Sequence, residues 1–327
     1  MKANPNISII ICSWQAPASL DETLQSIYTQ TEGASFEVVL VNNGFSSARV
    51  ENLRLAFPQT IIVDEATPGL AHARRAGFRA ARGEFFVCID DDNLLGKDFL
   101  SALEALVLQN PGLGVISPVV VPIWEKRPPL WLQEFGVCCL SYMTIAPPPP
   151  TGPKIEQVWH NPDFSGWPWP PGGGMIIHRS VAENYLKEHS TKRLQLGRIR
   201  NSLGGSEDQD ICLRFAQLKR DAAYSEKLLV FHKIPVSRTK MSYLLRLNFR
   251  MTQDWATLER LRLLEKHPFA SSTLNWHRQR LIRLPVKWVC GRISTSRFTL
   301  EWIRHAGFLW GWLRDSFRLG ADESVST

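Results

Sequence analysis

Glu84-Phe85-Phe86-Val87-Cys88-Ile89-Asp90-Asp91-Asp92 is the stretch on which the fold turns. Its unbroken apolar run predicts a strand covered on both faces, since a half-exposed strand would alternate with polar residues. The strand then delivers three carboxylates at its C-terminal end, and adjacent negative charges need neutralising. A hard divalent cation, Mg²⁺ or Mn²⁺, suits them. Such an ion takes oxygen ligands, keeps several waters and usually bridges one or two protein carboxylates to phosphates. An acidic turn capping a helix over residues 94–109 would explain the same aspartates, so the flanking sequence has to decide.

Residues 7–12, 36–41, 60–63, 84–89 and 114–121 read as strands, and residues 19–30, 48–57, 71–81 and 94–109 as helices. This alternation predicts an α/β fold whose mostly parallel sheet carries helices on both faces. In such sheets ligands collect beyond the strand C-terminal ends. Three of those ends hold polar or turn-forming residues: Ser13-Trp14-Gln15, Asn42-Asn43-Gly44 and Asp90-Asp91-Asp92. They are expected to line one rim. Arg74, Arg75 and Arg82, just upstream of the acidic strand, offer guanidinium groups to a diphosphate, although a solvated helix face would also explain them.

The 327 residues are 44% hydrophobic and 21% charged, which suits one large or two modest domains with a buried core. Six cysteines without a C-x-x-C pair read as reduced thiols, against a disulfide frame or a zinc site. Residues 1–6 lead straight into the first strand, and no apolar run reaches the roughly 18 residues of a membrane span. The expected location is therefore cytoplasmic. The formal net charge of +7 is uneven: residues 1–232 hold 21 basic and 24 acidic side chains, and residues 233–327 hold 17 and 7. All the excess positive charge lies in the tail.

In chain order, Ile7-Ser8-Ile9-Ile10-Ile11-Cys12-Ser13-Trp14, Leu24-Gln25-Ser26-Ile27-Tyr28-Thr29-Gln30-Thr31, Phe36-Glu37-Val38-Val39-Leu40-Val41-Asn42-Asn43-Gly44 and Pro68-Gly69-Leu70-Ala71-His72-Ala73-Arg74-Arg75-Ala76-Gly77 resemble landmarks of family 2 glycosyltransferases. Ala81-Arg82-Gly83-Glu84, the Asp90–Asp92 cluster, Gly172-Gly173-Gly174-Met175-Ile176-Ile177, Glu207-Asp208, His232 and Arg238 continue the series, so the resemblance covers roughly residues 7–250.

The resemblance implies a GT-A fold with a helical C-terminal extension. Residues 1–235 would form the catalytic domain, with a nucleotide-binding part over about 1–120 and an acceptor-binding part over about 121–235; residues 236–327 would form a basic helical region. It implies inverting transfer of a sugar from a nucleotide-diphosphate donor to a hydroxyl of a glycan or lipid-linked acceptor, assisted by Mn²⁺ or Mg²⁺. Asp90-Asp91-Asp92 then corresponds to the family's D-x-D, with Asp92 and His232 as metal ligands. Ser13, Asn42, Arg74, Asp90, Asp91 and Arg238 fall to donor binding, and Gly173 and Gly174 to the acceptor side. Asp208 is implied as the catalytic base, with Glu207 as its alternate, while Asp210 stands at i,i+4 to Arg214 and reads as its partner. Asn42 departs from the aspartate that often contacts a uracil ring, and asparagine supplies no charged acceptor. Arg75 stands where many members have asparagine.

Single elements also fit simpler physical roles. Ser206 and Gln209 fit a capping box, and acids in a first turn are favoured by the helix dipole alone. Residues 121–172 are rich in tryptophan and proline, including Pro147–Pro150, and are expected as loops over the site. Trp167 and Trp169 are the candidates there for stacking on a sugar ring. In the tail, residues 241–250 and 254–266 read as helices. Residues 298–317 place Phe298, Trp302, Ala306, Leu309, Trp310, Leu313 and Phe317 on one stripe, which suits either a core-covering helix or one lying in an anionic membrane surface. A nucleotidyltransferase would share the acids and the metal, but Ser13-Trp14-Gln15-Ala16-Pro17 is no basic phosphate loop. A nucleic-acid partner would leave the acids idle and is not expected. A non-catalytic, nucleotide-sugar-binding scaffold is the remaining alternative.

Overall fold

The computed structural model describes residues 6–30, 35–135, 156–160, 169–187, 191–200, 202–264 and 273–322. Strand β4 (Phe85–Ile89) is buried at all five positions, and its side chains alternate between two cores. Phe85, Val87 and Ile89 point to one, Phe86 and Cys88 to the other. Strands β1 (Ile7–Ser13) and β2 (Phe36–Asn42) divide the same way, with Ile9, Ile11, Val38 and Leu40 opposite Ile10, Val39 and Val41. Two-sided burial is the reason these strands read as unbroken apolar runs.

The first core is roofed by α1 (Ser19–Tyr28), α2 (Ser47–Ala56) and α4 (Phe99–Gln109). In α1, Leu20, Leu24 and Ile27 recur at helical spacing and are all fully buried; truncating any one to Ala would cost about 2–5 kcal/mol. The second core lies under α3 (Leu70–Ala80), α6 (Arg179–Leu186) and α8 (Glu207–Gln217), through Phe78, Tyr185, Ile211 and Phe215, and the short α7 (Thr191–Leu194) falls between α6 and α8 in the chain.

The sheet follows the order β3-β2-β1-β4-β8-β6-β9-β5, where β3 is Ile61–Asp64, β5 Asn93–Leu95, β6 Leu113–Trp124, β8 Ile176–His178 and β9 Asp221–Ile234. Strand β7 (Glu156–Trp159) also pairs with β9. Its first four members are parallel, as the alternating pattern predicts. From β4 onward, β8 runs antiparallel to both β4 and β6, and β5 and β7 run antiparallel to β9. The sheet is thus mixed, open and flanked by helices.

Several expected boundaries move. The helix expected over 94–109 begins at Phe99, because Asn93–Leu95 pairs with β9 and the Gly96 N–H donates to Leu229 O at 2.8 Å. The region expected as loops from 121 contains regular structure: β6 runs to Trp124, α5 spans Leu130–Phe135, and β7 is laddered to β9. Pro147–Pro150, Cys138, Cys139 and Trp167 lie outside the described residues, whereas Cys12, Cys88, Cys212 and Cys290 are free thiols.

The chain divides into two compact units, one of Met1–Ile123, Ser141–Gln195 and Glu207–Ile234, the other of Trp124–Leu140, Leu196–Ser206 and Pro235–Thr327. In the second, the two helices expected over 241–266 are one, α9 (Met241–Leu264). Its buried acids tie down neighbouring chain: Asp254 accepts from Gly205 N at 3.1 Å and pairs with Arg250, and Glu259 accepts from Thr273 N at 2.6 Å. Burial, only partly offset by Arg250, raises the Asp254 pKa above the ordinary carboxylate value. Thr273 precedes α10 (Leu274–Val289), a helix that the basic residues there did not announce, and α11 (Thr295–Asp322) follows. Helix α11 packs closely on α9, where Gly307 and Gly311 lie against the α9 backbone at Phe249 and Gln253. Trp302, Trp310 and Leu313 of the expected stripe remain exposed. Among the described residues, no helix is long and apolar enough to cross a membrane.

Candidate active site

Parallel register brings the strand ends level: Ser13 pairs with Asn42, and Ile11 with Ile89 two residues before Asp91. Ser13 Oγ donates to Asp91 Oδ2 at 2.5 Å, fixing one acid of the triplet to the next strand. Asp90 is turned by Asn93, whose buried Oδ1 accepts the Asp90 N–H at 2.7 Å while its own N–H donates to Asp90 O at 3.1 Å. That turn lets the chain reverse into β5, where Asn93 pairs with His232 of β9. Asp92 and the late histidine are thereby neighbours, Oδ2 lying 3.6 Å from Nε2.

Arg74 on α3 is the centre of the second part of the site. It is 2% exposed and donates from Nη1 to Glu207 Oε1 at 2.8 Å. Burial opposes its charge, but Glu207, and more weakly Asp208 and Asp90, hold its pKa above the ordinary guanidinium value. Beneath it, burial pushes the Cys88 thiol up to about 12 and the Cys12 thiol higher still, although Arg74 pulls both down. Both therefore stay protonated at neutral pH and are inert packing groups rather than nucleophiles.

Gly172 and Gly173 join these groups. A Cβ on Gly173 would sit 2.5 Å from Asp90 Oδ2 and 2.7 Å from Asn93 Oδ1, and one on Gly172 would collide with the Arg74 guanidinium. Only glycine lets this backbone lie so close to both charged groups. The Gly172 N–H donates to Asp208 Oδ2 at 2.9 Å, while Asp208 Oδ1 accepts from Gln209 N at 2.8 Å. Asp90, Arg74, Glu207 and Asp208 thus share one cluster with Gly172 and Gly173, drawn from four separate segments. Gly174 serves the sheet, its N–H donating to Cys88 O at 2.8 Å.

The remaining expected residues fall in different places. Asp210 pairs with Arg214 at 3.5 Å, as its spacing predicts, and more closely with buried Arg193. The expected capping box is not closed, since Gln209 Oε1 is buried with no hydrogen-bond partner. Arg75 binds the C-terminal end of α6, donating to Tyr185 O at 3.0 Å and Leu186 O at 2.9 Å with its guanidinium over the Tyr185 ring. That accounts for the arginine in structural terms. Trp169 packs against the second core. Arg238 lies in the second unit, in a 3-10 turn over Val236–Thr239.

Asn42 has its side chain committed. Its Oδ1 accepts from Phe45 N at 2.7 Å and Gly44 N at 3.2 Å, and its Nδ2 donates to Asp64 Oδ1 at 2.7 Å. The exposed carboxylate of Asp64, at the end of the adjacent β3, is therefore held on this rim. Sequence reading passed over Asp64, Asn93 and Arg193. Asp64 had a signal, being an acid at a strand end beside Asn42, and so had Asn93, three residues after Asp90. Arg193 had none.

Comparison with known proteins agrees with this architecture. Residues 8–185 match the model of glycosyl transferase family 2. An uncharacterized glycosyltransferase of Haemophilus influenzae is 29% identical over 110 residues, 34% of this chain and 37% of that one. The glucosyl-dolichyl phosphate glucuronosyltransferase of Haloferax volcanii is 24% identical over 39% of this chain and 42% of its own length. This chain spans less than half the length of these curated relatives. Among solved structures, a mannosyltransferase of Pyrobaculum calidifontis, in complex with GDP-Man and Mn²⁺, superposes with a TM-score of 0.55 at 18% identity, covering 96% of this chain and 88% of that one. Its likeness is one of fold, the GT-A arrangement. With the family model matched from the first strand to the end of α6, on the scaffold that levels Ser13, Asn42 and the aspartates, this chain belongs to glycosyl transferase family 2.

Proposed function

We propose that the protein transfers a sugar from a nucleoside-diphosphate donor to a hydroxyl of a glycan or lipid-linked acceptor, inverting the anomeric centre in a single displacement. The reading rests on one observation above the others: Gly172 and Gly173 gather the donor-side acid Asp90 and the proposed base Asp208 around Arg74. Transfer needs both ends at once, one to steady a departing diphosphate and one to take a proton from the attacking hydroxyl. Of the two candidate bases, Glu207 is tied up in a buried ion pair, so Asp208 is the stronger.

A carboxylate beside an imidazole nitrogen, Asp92 with His232, is a donor set that fits Mn²⁺ better than Mg²⁺. When bound, such an ion would neutralise charge growing on the leaving diphosphate. Asp91, held by Ser13, and Asp90, held by Asn93, would meet the donor's ribose. Arg74 acts as a positioning residue, paired with Glu207 at 2.8 Å and set against the Gly172 backbone. Gly173 and the half-buried Trp169 would face the acceptor. The basic C-terminal region would meet an anionic membrane surface, where a lipid-linked acceptor resides.

Purified protein titrated with a panel of nucleotide sugars, with and without Mn²⁺, tests the reading by thermal shift and donor hydrolysis. Stabilisation by one donor in the presence of Mn²⁺, lost in Asp92→Asn, is the expected result. Equal donor affinity in wild type and Asp92→Asn, regardless of metal, would remove the role given to that residue.

A further inference from the structure

Helix α10 turns an apolar stripe away from its own unit. Ile282 is 74% exposed, Val286 63% and Val289 78%. At 3.6 residues per turn these three lie within about 60° of one another, on the side opposite the buried His277 and Leu284. Exposed β-branched residues grouped on one helix face are rarely neutral; they mark a surface that something covers. The surrounding charge says what. Residues 274–300 contain Arg278, Arg280, Arg283, Lys287, Arg292 and Arg297 and no Asp or Glu. Arg278 and Arg283 flank the stripe, with long stems that can lie along an apolar surface while their heads reach outward. Trp276 and Trp288, both partly exposed, stand near the two ends of the helix.

A second copy of the chain would bring these same cations face to face and is disfavoured on charge. An anionic bilayer meets both demands, accepting the apolar stripe among its acyl chains and the arginines among its phosphates. We propose that α10 is the membrane-docking helix of this protein, lying in the plane of an anionic lipid surface with Ile282, Val286 and Val289 inserted. The proposal rests on the membrane contact of the basic C-terminal region and sharpens it to one helix and one face.

Cosedimentation of the full chain with vesicles of phosphatidylcholine alone, and of phosphatidylcholine mixed with phosphatidylglycerol, tests it. Binding is expected to the mixed vesicles only and to weaken with salt. The triple variant Ile282→Ser/Val286→Ser/Val289→Ser and the double variant Arg278→Glu/Arg283→Glu should each bind at least about tenfold more weakly. Both change exposed positions, and unchanged far-ultraviolet circular dichroism and melting would establish that they fold. Wild-type-like vesicle binding by either variant overturns the proposal. So does a fall in molar mass of the triple variant by light scattering, which would make the stripe a contact between copies, or binding of the wild type to neither vesicle. Failure here is separable from failure of the transferase reading: Asp208→Asn should dock like wild type, and absence of vesicle binding by the wild type with donor hydrolysis intact would count against α10 alone.

Discussion

Among the described residues, the two units differ in whether they bury a cation. In the first, buried cations meet buried anions: Arg74 on Glu207, and Arg193 on Asp210. In the second, two buried histidines stay neutral. His277 and His305 share an Nδ1···Nδ1 hydrogen bond of 2.9 Å, His277 stacks flat on Phe308, and Trp276 meets both rings edge-on. A buried ion pair is seldom the most stable way to fill a core. Cations buried in the first unit therefore point to a use beyond stability, whereas in the second the buried acids meet backbone N–H groups and the half-exposed Arg250, and other cations lie outside, as on α10.

The largest effect that could break this contrast is on transfer. Asp208→Asn keeps the size of the side chain and an acceptor for the Gly172 N–H but removes the proposed base. Initial rates with saturating donor should fall by about 10²–10⁴-fold while donor affinity holds. If Asp208→Asn transfers at the wild-type rate, the acids around Arg74 are structural and the contrast loses its functional half.

The next effect is on stability. Glu207→Leu would leave Arg74 charged and enclosed, at a cost of about 3–5 kcal/mol in urea-unfolding free energy. The double variant Arg74→Met/Glu207→Leu should recover most of that loss while transfer stays low. Recovery of both together would make the pair dispensable to the site.

How far the sequence reveals this architecture depends on which interaction fixes each part. Strands β1, β2 and β4 are legible because two-sided burial leaves an apolar run in the chain itself. The rim residues are legible because strand ends announce them. What hides is anything set by a partner distant in sequence: β5, drawn into β9 from a stretch that reads as helix; Arg193, brought to Asp210; and α10, whose basic residues conceal an apolar face. Asn42 is a subtler case. Its identity suggests a weakened base contact, and only the neighbouring strand reveals that its amide is spent on Asp64.

A smaller effect tests the second unit. Burial first, then His305 and Arg304, push the His277 pKa down to about 3; burial and Arg304, opposed by Glu301 and joined by Arg280, push that of His305 down to about 4. The unfolded chain binds protons on these histidines near pH 6.5 and the folded one does not. Stability from this source is therefore complete above that pH and is lost as pH falls toward 4, at no more than about 1.4 kcal/mol per pH unit for each histidine. Urea midpoints between pH 7 and 4.5 should decline in wild type and decline less in His277→Phe. Parallel declines would show that the acid sensitivity arises elsewhere.

The smallest effect concerns the rim at Asn42 and Asp64, proposed to read the donor's base. Asn42 holds the loop at Gly44 and Phe45 with its oxygen and Asp64 with its nitrogen, so it can act as a support while Asp64 offers the charged acceptor that asparagine lacks. A single hydrogen bond to a nucleobase N–H is worth about 0.5–1.5 kcal/mol net. Asp64→Asn should then weaken the preferred donor by a few-fold up to about tenfold, without changing the affinity of the bare sugar phosphate. Asn42→Ala should do the same through loss of support, and combining the two should add little because both act on one contact. Full additivity would assign Asn42 a contact of its own. Unchanged affinity in Asp64→Asn would return the reading of the base to residues beyond this rim, and would leave the carboxylate at the end of β3 as a brace for the loop after β2.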